Sequence, residues 1–211
     1  MRIILIGATG TIGQAIARAL DGHDIIAASR HGKHRVDITD AASIRTLFAR
    51  VGQVDAIISA AGGAAWKPLA ELTDDDFTRS VTDKLLGQVN VVRHGFEIVR
   101  DGGSITITSG VLAQQPMVGS AAVSLVNAGL EGFTRAAALE APRRIRVNVV
   151  SPGWVAETLA AMGQDPSAGI PADAVARVYA ESVTGSATGA VLAAMPGQGR
   201  PRTTAPAAAD R

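Results

Sequence analysis

The chain has 211 residues, 20 lysines and arginines against 19 acids for a formal net charge of +1, and no cysteine, which excludes disulfides, zinc thiolates and thiol nucleophiles. Hydrophobic residues at 47% and charged residues at 18% suit one α/β domain with a full core, and no lysine-rich stripe or basic helix points to nucleic acid. No apolar run approaches the roughly 20 residues that span a bilayer, and Met1 leads straight into an apolar run, so the expectation is a cytoplasmic protein without signal peptide or membrane partner.

Ile3 to Ile6 reads as a buried strand that meets Gly7, Gly10 and Gly13 without a spacer. Ile12, Ile16, Ala19 and Leu20 then share one face of a helix. A strand entering a glycine-rich turn that opens a helix is the phosphate-binding corner of a dinucleotide fold. Its glycines let the backbone approach a pyrophosphate, whose charge sits on the helix N-terminus. Asp24 to Ser29 reads as a second strand and His34 to Asp37 as a short third. Ala41 to Val51 has helical spacing, and Asp55 to Ala60 is an apolar strand ending in Ala61-Gly62-Gly63.

Thr73 opens a long helix reaching about Val99, with Asp76 three residues on in capping-box position. The Asp74-Asp75-Asp76 run is read as negative charge in a first helical turn in preference to a metal site, and no metal is expected. Gly103 to Ser109 is the next strand, Ser120 to Ala141 a helix, Ile145 to Val150 a strand, Asp173 to Ser182 a short helix and Thr188 to Ala194 a last strand. Strands alternating with helices predict a single Rossmann-type doubly wound domain over residues 1–195, a parallel β-sheet flanked by helices. From Pro196 the periodicity is lost, so residues 196–211 are expected to form a loosely held tail.

The end of the second strand decides the expected cofactor. An NAD site places an acid there for the ribose 2′-hydroxyl. This chain has Ser29-Arg30, followed by His31, Lys33, His34 and Arg35. A hydroxyl and a guanidinium match a 2′-phosphate, so NADPH is expected to be preferred over NADH. The alternative is a solvated basic loop.

The remaining punctuation resembles the short-chain dehydrogenase/reductase family over residues 1 to 195. Gly7-Ala8-Thr9-Gly10-Thr11-Ile12-Gly13 looks like the family's cofactor turn, with spacing nearer its atypical members. Ser59-Ala60-Ala61-Gly62 stands where the family has Asn-Asn-Ala-Gly, and Ile105 to Ser109 resembles the strand that delivers its catalytic serine. Arg146 to Val155, with the turn Pro152-Gly153, is similar to the segment beside the nicotinamide. Asp37 and Ile38 fall where the family contacts the adenine edge, although Asp37 would serve equally to cap the next turn. The resemblance implies an oxidoreductase acting on a small carbonyl or alcohol. It also implies a homodimer or homotetramer joined through the helices Thr73–Val99 and Ser120–Ala141, the second carrying Leu125, Leu130, Phe133, Ala137 and Ala138.

The resemblance breaks at the active site. Aligning Asn127-Ala-Gly-Leu-Glu-Gly-Phe133 with the family's Lys-Ala-Gly-Leu-x-Gly-Phe puts Asn127 at the lysine and Val123 at the tyrosine four residues earlier. Lys84 stands where the family has an asparagine, and only Ser109 matches its tetrad. The chain thus resembles a compact bacterial subgroup lacking the Tyr/Lys pair. Valine cannot donate a proton, and the neutral amide of Asn127 can bond a ribose hydroxyl without lowering a neighbour's pKa. Ser109, Lys84 and Asn127 are the candidate catalytic residues. Lys84 either supplies a proton or holds an anionic ligand in the vacated pocket, or is an exposed lysine on a long helix, and Ser109 is either a pocket hydroxyl or one bonded to backbone. A protein that binds NADP(H) without turnover is the other reading of the same features.

Overall fold

The computed structural model describes residues 1–195; the expected tail, 196–211, lies outside the described residues. Seven parallel strands form one sheet in the order β3-β2-β1-β4-β5-β6-β7. They are β1 (Arg2–Ile6), β2 (Asp24–Ser29), β3 (His34–Arg35), β4 (Val54–Ser59), β5 (Val99–Thr108), β6 (Arg146–Pro152) and β7 (Val191–Ala194). The near-continuous Ile, Val and Leu runs of β1, β4 and β6 match a sheet covered on both faces.

Helices α1 (Thr11–Ala19) and α7 (Ala172–Thr184) cover one face, with Ile3, Leu5, Ile16, Ile58 and Tyr179 in their core. Helices α2 (Ala41–Val51), α4 (Gly87–Ile98) and α5 (Ala121–Glu140) cover the other, over Ile4, Ile6, Ile57, Ile105 and Leu130. The chain reverses strand order between β1 and β4, and such a crevice beyond the strand carboxyl ends is where doubly wound sheets bind ligands.

Several elements differ from expectation. The third strand stops at Arg35 because Asp37 turns the chain: its carboxylate accepts from the Thr39 amide at 3.0 Å and the Thr39 hydroxyl at 2.8 Å. The helix from Thr73 runs to Ile98 as expected, but through three geometries: α3 (Asp74–Ser80), a π-helical stretch from Val81 to Leu86, and α4. The capping box is present, with Thr73 and Asp76 each accepting from the other's amide. A short helix α6 (Ala156–Ala161) after β6 gave no periodic signal, being only six residues long.

Of the apolar residues expected on an oligomer surface, Leu130 and Ala137 are intrachain core, and Phe133 and Ala138 pack against it. Leu125 is exposed, as are Leu86 and Leu139.

Candidate active site

The glycine turn is held by close backbone packing. An added Cβ on Gly13 would stand 2.1 Å from the Gly7 carbonyl oxygen, and one on Gly7 would stand 2.5 Å from the Ala60 oxygen. Gly7 also has φ +85°, a conformation other residues adopt only with strain. The turn therefore presses β1, the start of α1 and the end of β4 together. At Gly10, the N-cap of α1, no side chain caps the helix and no acid lies in its first turn. These free amide groups and the positive end of the helix suit an anion.

A cavity of about 370 Å³ opens beside this turn, lined by Gly7, Thr9, Gly10, Ser29, Arg30, Asp37, Ile38, Ala60, Ala61 and Gly62 among others. Ten of the expected cofactor residues thus share one cavity. A larger one, of about 630 Å³, shares Arg30, Asp37, Gly63 and Asp83 with it and extends to Trp66, Lys67 and Arg79. Arg30, at the end of β2, faces both.

Thr11, Ile12 and Gly13 shape the turn from the first turn of α1 without lining the cavity. Val155 does not join them: it is buried in the core around α7 and pairs with Ile170, because the chain after Gly153 turns back over the sheet. Asp37 serves as the turn cap, and its bonds with Thr39 hold its carboxyl below the usual range.

The candidate catalytic residues meet in a third cavity of about 150 Å³. It is lined by Lys84, Ser109, Gly110, Val111, Leu112, Val123, Asn127, Pro152, Gly153 and Trp154. Lys84 lies in the π-helical stretch, a distortion often found at functional sites. It points inward, and Nζ donates to the Ser109 carbonyl oxygen at 3.2 Å. Burial pushes its ammonium down to about 8, partly opposed by the charge of Asp83.

Asn127 is buried; its Nδ2 donates to the Gly110 oxygen at 3.4 Å while Oδ1 has no partner among the described residues. The Oγ atoms of Ser29 and Ser59 are likewise buried and unpaired. Buried polar atoms without partners are rare in a free-standing fold. Five such atoms occur among the described residues, and two of them, Ser29 Oγ and Asn127 Oδ1, sit on residues that line the crevice, where a phosphate oxygen could accept from the first and a ribose hydroxyl could donate to the second.

Three structural features escaped the sequence reading. Glu131, one helical turn beyond Asn127, is buried and accepts the Ser109 hydroxyl at 3.1 Å and the Gln114 side-chain amide. Its i+4 spacing from Asn127 was the available signal. Gln88, one turn beyond Lys84, is buried and exchanges two bonds of 2.8 Å with the Thr108 backbone, bracing the strand end that presents Ser109. Trp66 and Trp154, the chain's two tryptophans, meet edge to face with centroids 5.6 Å apart at the mouth of the crevice. No local pattern links residues so distant in sequence. Tyr179, the chain's one tyrosine, lies fully buried on the far face against the Thr108 hydroxyl at 2.6 Å, and burial raises its pKa.

A family described as Enoyl-(Acyl carrier protein) reductase matches residues 16–195, most of the chain. The chain belongs to the short-chain dehydrogenase/reductase family. Among solved structures, the protein lin1944 from Listeria innocua is 39% identical, with TM-score 0.86 over 90% of this chain and 96% of that one. A small-chain dehydrogenase solved in complex with NADPH is 27% identical, with TM-score 0.81 over 92% and 95%. Hydroxynaphthalene reductase-like protein Arp2 from Metarhizium brunneum is 32% identical over 127 residues, 57% of this chain. The matched segment spans 48% of that protein, about half its length. The short-chain dehydrogenase/reductase assignment makes the protein a member of an oxidoreductase family that works with a nicotinamide cofactor. Among the described residues no helix is long and apolar enough to cross a membrane.

Proposed function

We propose that the protein is an NADP(H)-dependent oxidoreductase of the short-chain type, acting on a small apolar carbonyl or alcohol through an atypical active site. The observation that carries this reading is Arg30. It stands where an NAD site has an acid, beside the unpaired Oγ of Ser29, and faces the crevice at the switch point of the sheet. A guanidinium there favours a 2′-phosphate through charge-assisted hydrogen bonds.

Gly7, Gly10 and the open N-terminus of α1 would receive the pyrophosphate. Asn127 would accept a ribose hydroxyl on its free Oδ1, with Pro152 and Gly153 beside the nicotinamide, and the bound cofactor supplies or accepts hydride. The chain supplies the rest. Val111, Leu112, Val123 and Trp154 form an apolar wall that limits water. Lys84 holds a proton near the Ser109 backbone and can release it close to neutral pH. The Ser109 hydroxyl donates its hydrogen bond to Glu131, which leaves its oxygen to accept from a bound hydroxyl.

The test is a titration of NADPH and NADH against the wild type, followed by hydride-transfer assays on small ketones with Lys84→Ala. Tighter NADPH binding, with residual turnover abolished by the substitution, is the expected result. Equal affinity for the two cofactors overturns the cofactor assignment. Cofactor binding with no turnover on any carbonyl favours a silent NADP(H)-binding protein instead, a reading supported by Val123, which has no proton to give.

The exposed Leu86, Leu125 and Leu139 on the helices of one sheet face support a homo-oligomer built through them, since isologous helix contacts are a common route to dimers. A monomer mass by light scattering at micromolar concentration excludes this.

A further inference from the structure

Lys84 has no carboxylate in hydrogen-bond or ion-pair contact among the described residues. Its adjacent acid, Asp83, accepts instead from the Gly63 amide at 3.1 Å, and Glu131, the nearest carboxylate contributed by α5, is engaged by Ser109 and Gln114. Asn127 directs its Nδ2 to Gly110. Among the described residues the hydrogen-bond partner of Nζ is one neutral backbone oxygen, that of Ser109. The backbone beneath is fixed: an added Cβ on Gly62 would lie 2.9 Å from the Lys84 Cα, so the β4 turn packs against it. The side chain therefore reaches a cavity with an apolar wall and no carboxylate in contact.

We propose that Lys84 is a carbonyl-trapping amine, whose Nζ condenses reversibly with an aldehyde or ketone in this cavity. The lone pair of neutral Nζ attacks the carbonyl carbon as the carbon–oxygen π bond opens, and one of the two Nζ protons moves to that oxygen to give a carbinolamine. Loss of that hydroxyl together with the remaining Nζ proton as water leaves a carbon–nitrogen double bond to Lys84, and addition of water reverses the sequence. No oxidant or reductant is consumed. An amine is nucleophilic only when neutral, and a lysine in an apolar pocket reaches that state far below its solution range. Burial pushes Lys84 down to about 8, so at neutral pH far more of it is neutral than of an ordinary lysine. The proposal rests on the reading that carbonyl compounds enter this cavity.

The other two lysines serve as internal references. Lys33 is exposed in the β2–β3 loop, and Lys67 is exposed and ion-paired with Asp76 at 2.9 Å. The full chain is incubated with benzaldehyde and sodium cyanoborohydride, which reduces the imine to a stable benzyl amine, and the labelled lysines are mapped by peptide mass spectrometry. NADPH binding is titrated on the same preparation. Lys84 is expected to label at least tenfold faster than Lys33 and Lys67 at pH 7.5, with that peptide unlabelled in Lys84→Arg. Labelling of Lys84 no faster than the other two, with NADPH still bound, overturns the proposal and leaves the oxidoreductase reading standing. Absence of both labelling and cofactor binding overturns the two together. The wild-type map decides by itself, so the result does not depend on how well the variant folds.

Discussion

At the β1–β4 end of the crevice the site is made by what the side chains leave out, whereas at the β5–α5 end it is made by what they bring in. Gly7, Gly10 and Gly13 contribute backbone amides and closeness, with the Gly13 Cα so near the Gly7 oxygen that one methyl group would not fit. Lys84, Ser109, Asn127 and Glu131 come from two helices and a strand end, and three of the four are nearly fully buried polar residues. A backbone site tolerates almost no change of residue but asks nothing of protonation. A side-chain site depends on charge state, and so on how thoroughly the surrounding packing excludes water.

The sharpest test of that contrast is Gly13→Ala. The clash with Gly7 forces the turn apart, so NADPH binding is expected to fall below detection in calorimetric titration, with stability lowered by about 3 kcal/mol. Binding within a few-fold of the wild type would mean the turn is not built by contact. Next in size is Arg30→Ala, which removes a charge-assisted contact at the edge of the same region. NADPH affinity should drop by about 1.5–3 kcal/mol, roughly 10- to 150-fold, while NADH affinity stays nearly constant. An equal drop for both cofactors would place Arg30 outside the 2′-phosphate contact.

Lys84→Met probes the other end. The ammonium is disfavoured by burial, so the folded lysine loses its proton from about pH 8 while the unfolded one keeps it to its ordinary 10.5. The cost is therefore full below pH 8 and shrinks as pH rises from 8 to 10.5. The variant should be more stable than the wild type by about 2 kcal/mol at pH 7 in urea unfolding, with the gap narrowing as pH rises from 8 toward 10.5. A gap that does not change with pH would mean that Lys84 is hydrated in the folded protein. The smallest effect is expected for Gly132→Ala on α5. An added Cβ there meets nothing within 4 Å, so the helix should gain about 0.5–1 kcal/mol in thermal unfolding. That gain, set against the loss at Gly13, would show that surroundings, and not glycine as such, make the turn irreplaceable.

The same contrast divides what could be read from the residues alone. The glycine turn was legible because its parts are contiguous: Ile3 to Ile6, three glycines and an amphipathic helix follow within twenty residues, and the backbone geometry they require is local. The parallel sheet was legible because alternating apolar runs and helical stripes leave one economical way to bury both faces. Arg30 was legible because it ends a strand whose neighbour in the sheet begins the turn. The three candidate catalytic residues, which share one cavity, were named from the resemblance, but their state was not. Whether Lys84 faced solvent or the cavity depended on a π-helical stretch, which has no sequence period of its own.

Tertiary packing alone decided that Asp37 caps a turn, that Val155 enters the core, and that Leu130 and Ala137 are intrachain. It also brought Glu131 to Ser109 across 22 positions and Trp66 to Trp154 across a longer gap. Local sequence specifies the dihedral preferences and the apolar face of each element. Which buried polar group meets which depends on how elements from distant parts of the chain pack, and that same burial shifts the charge state of Lys84.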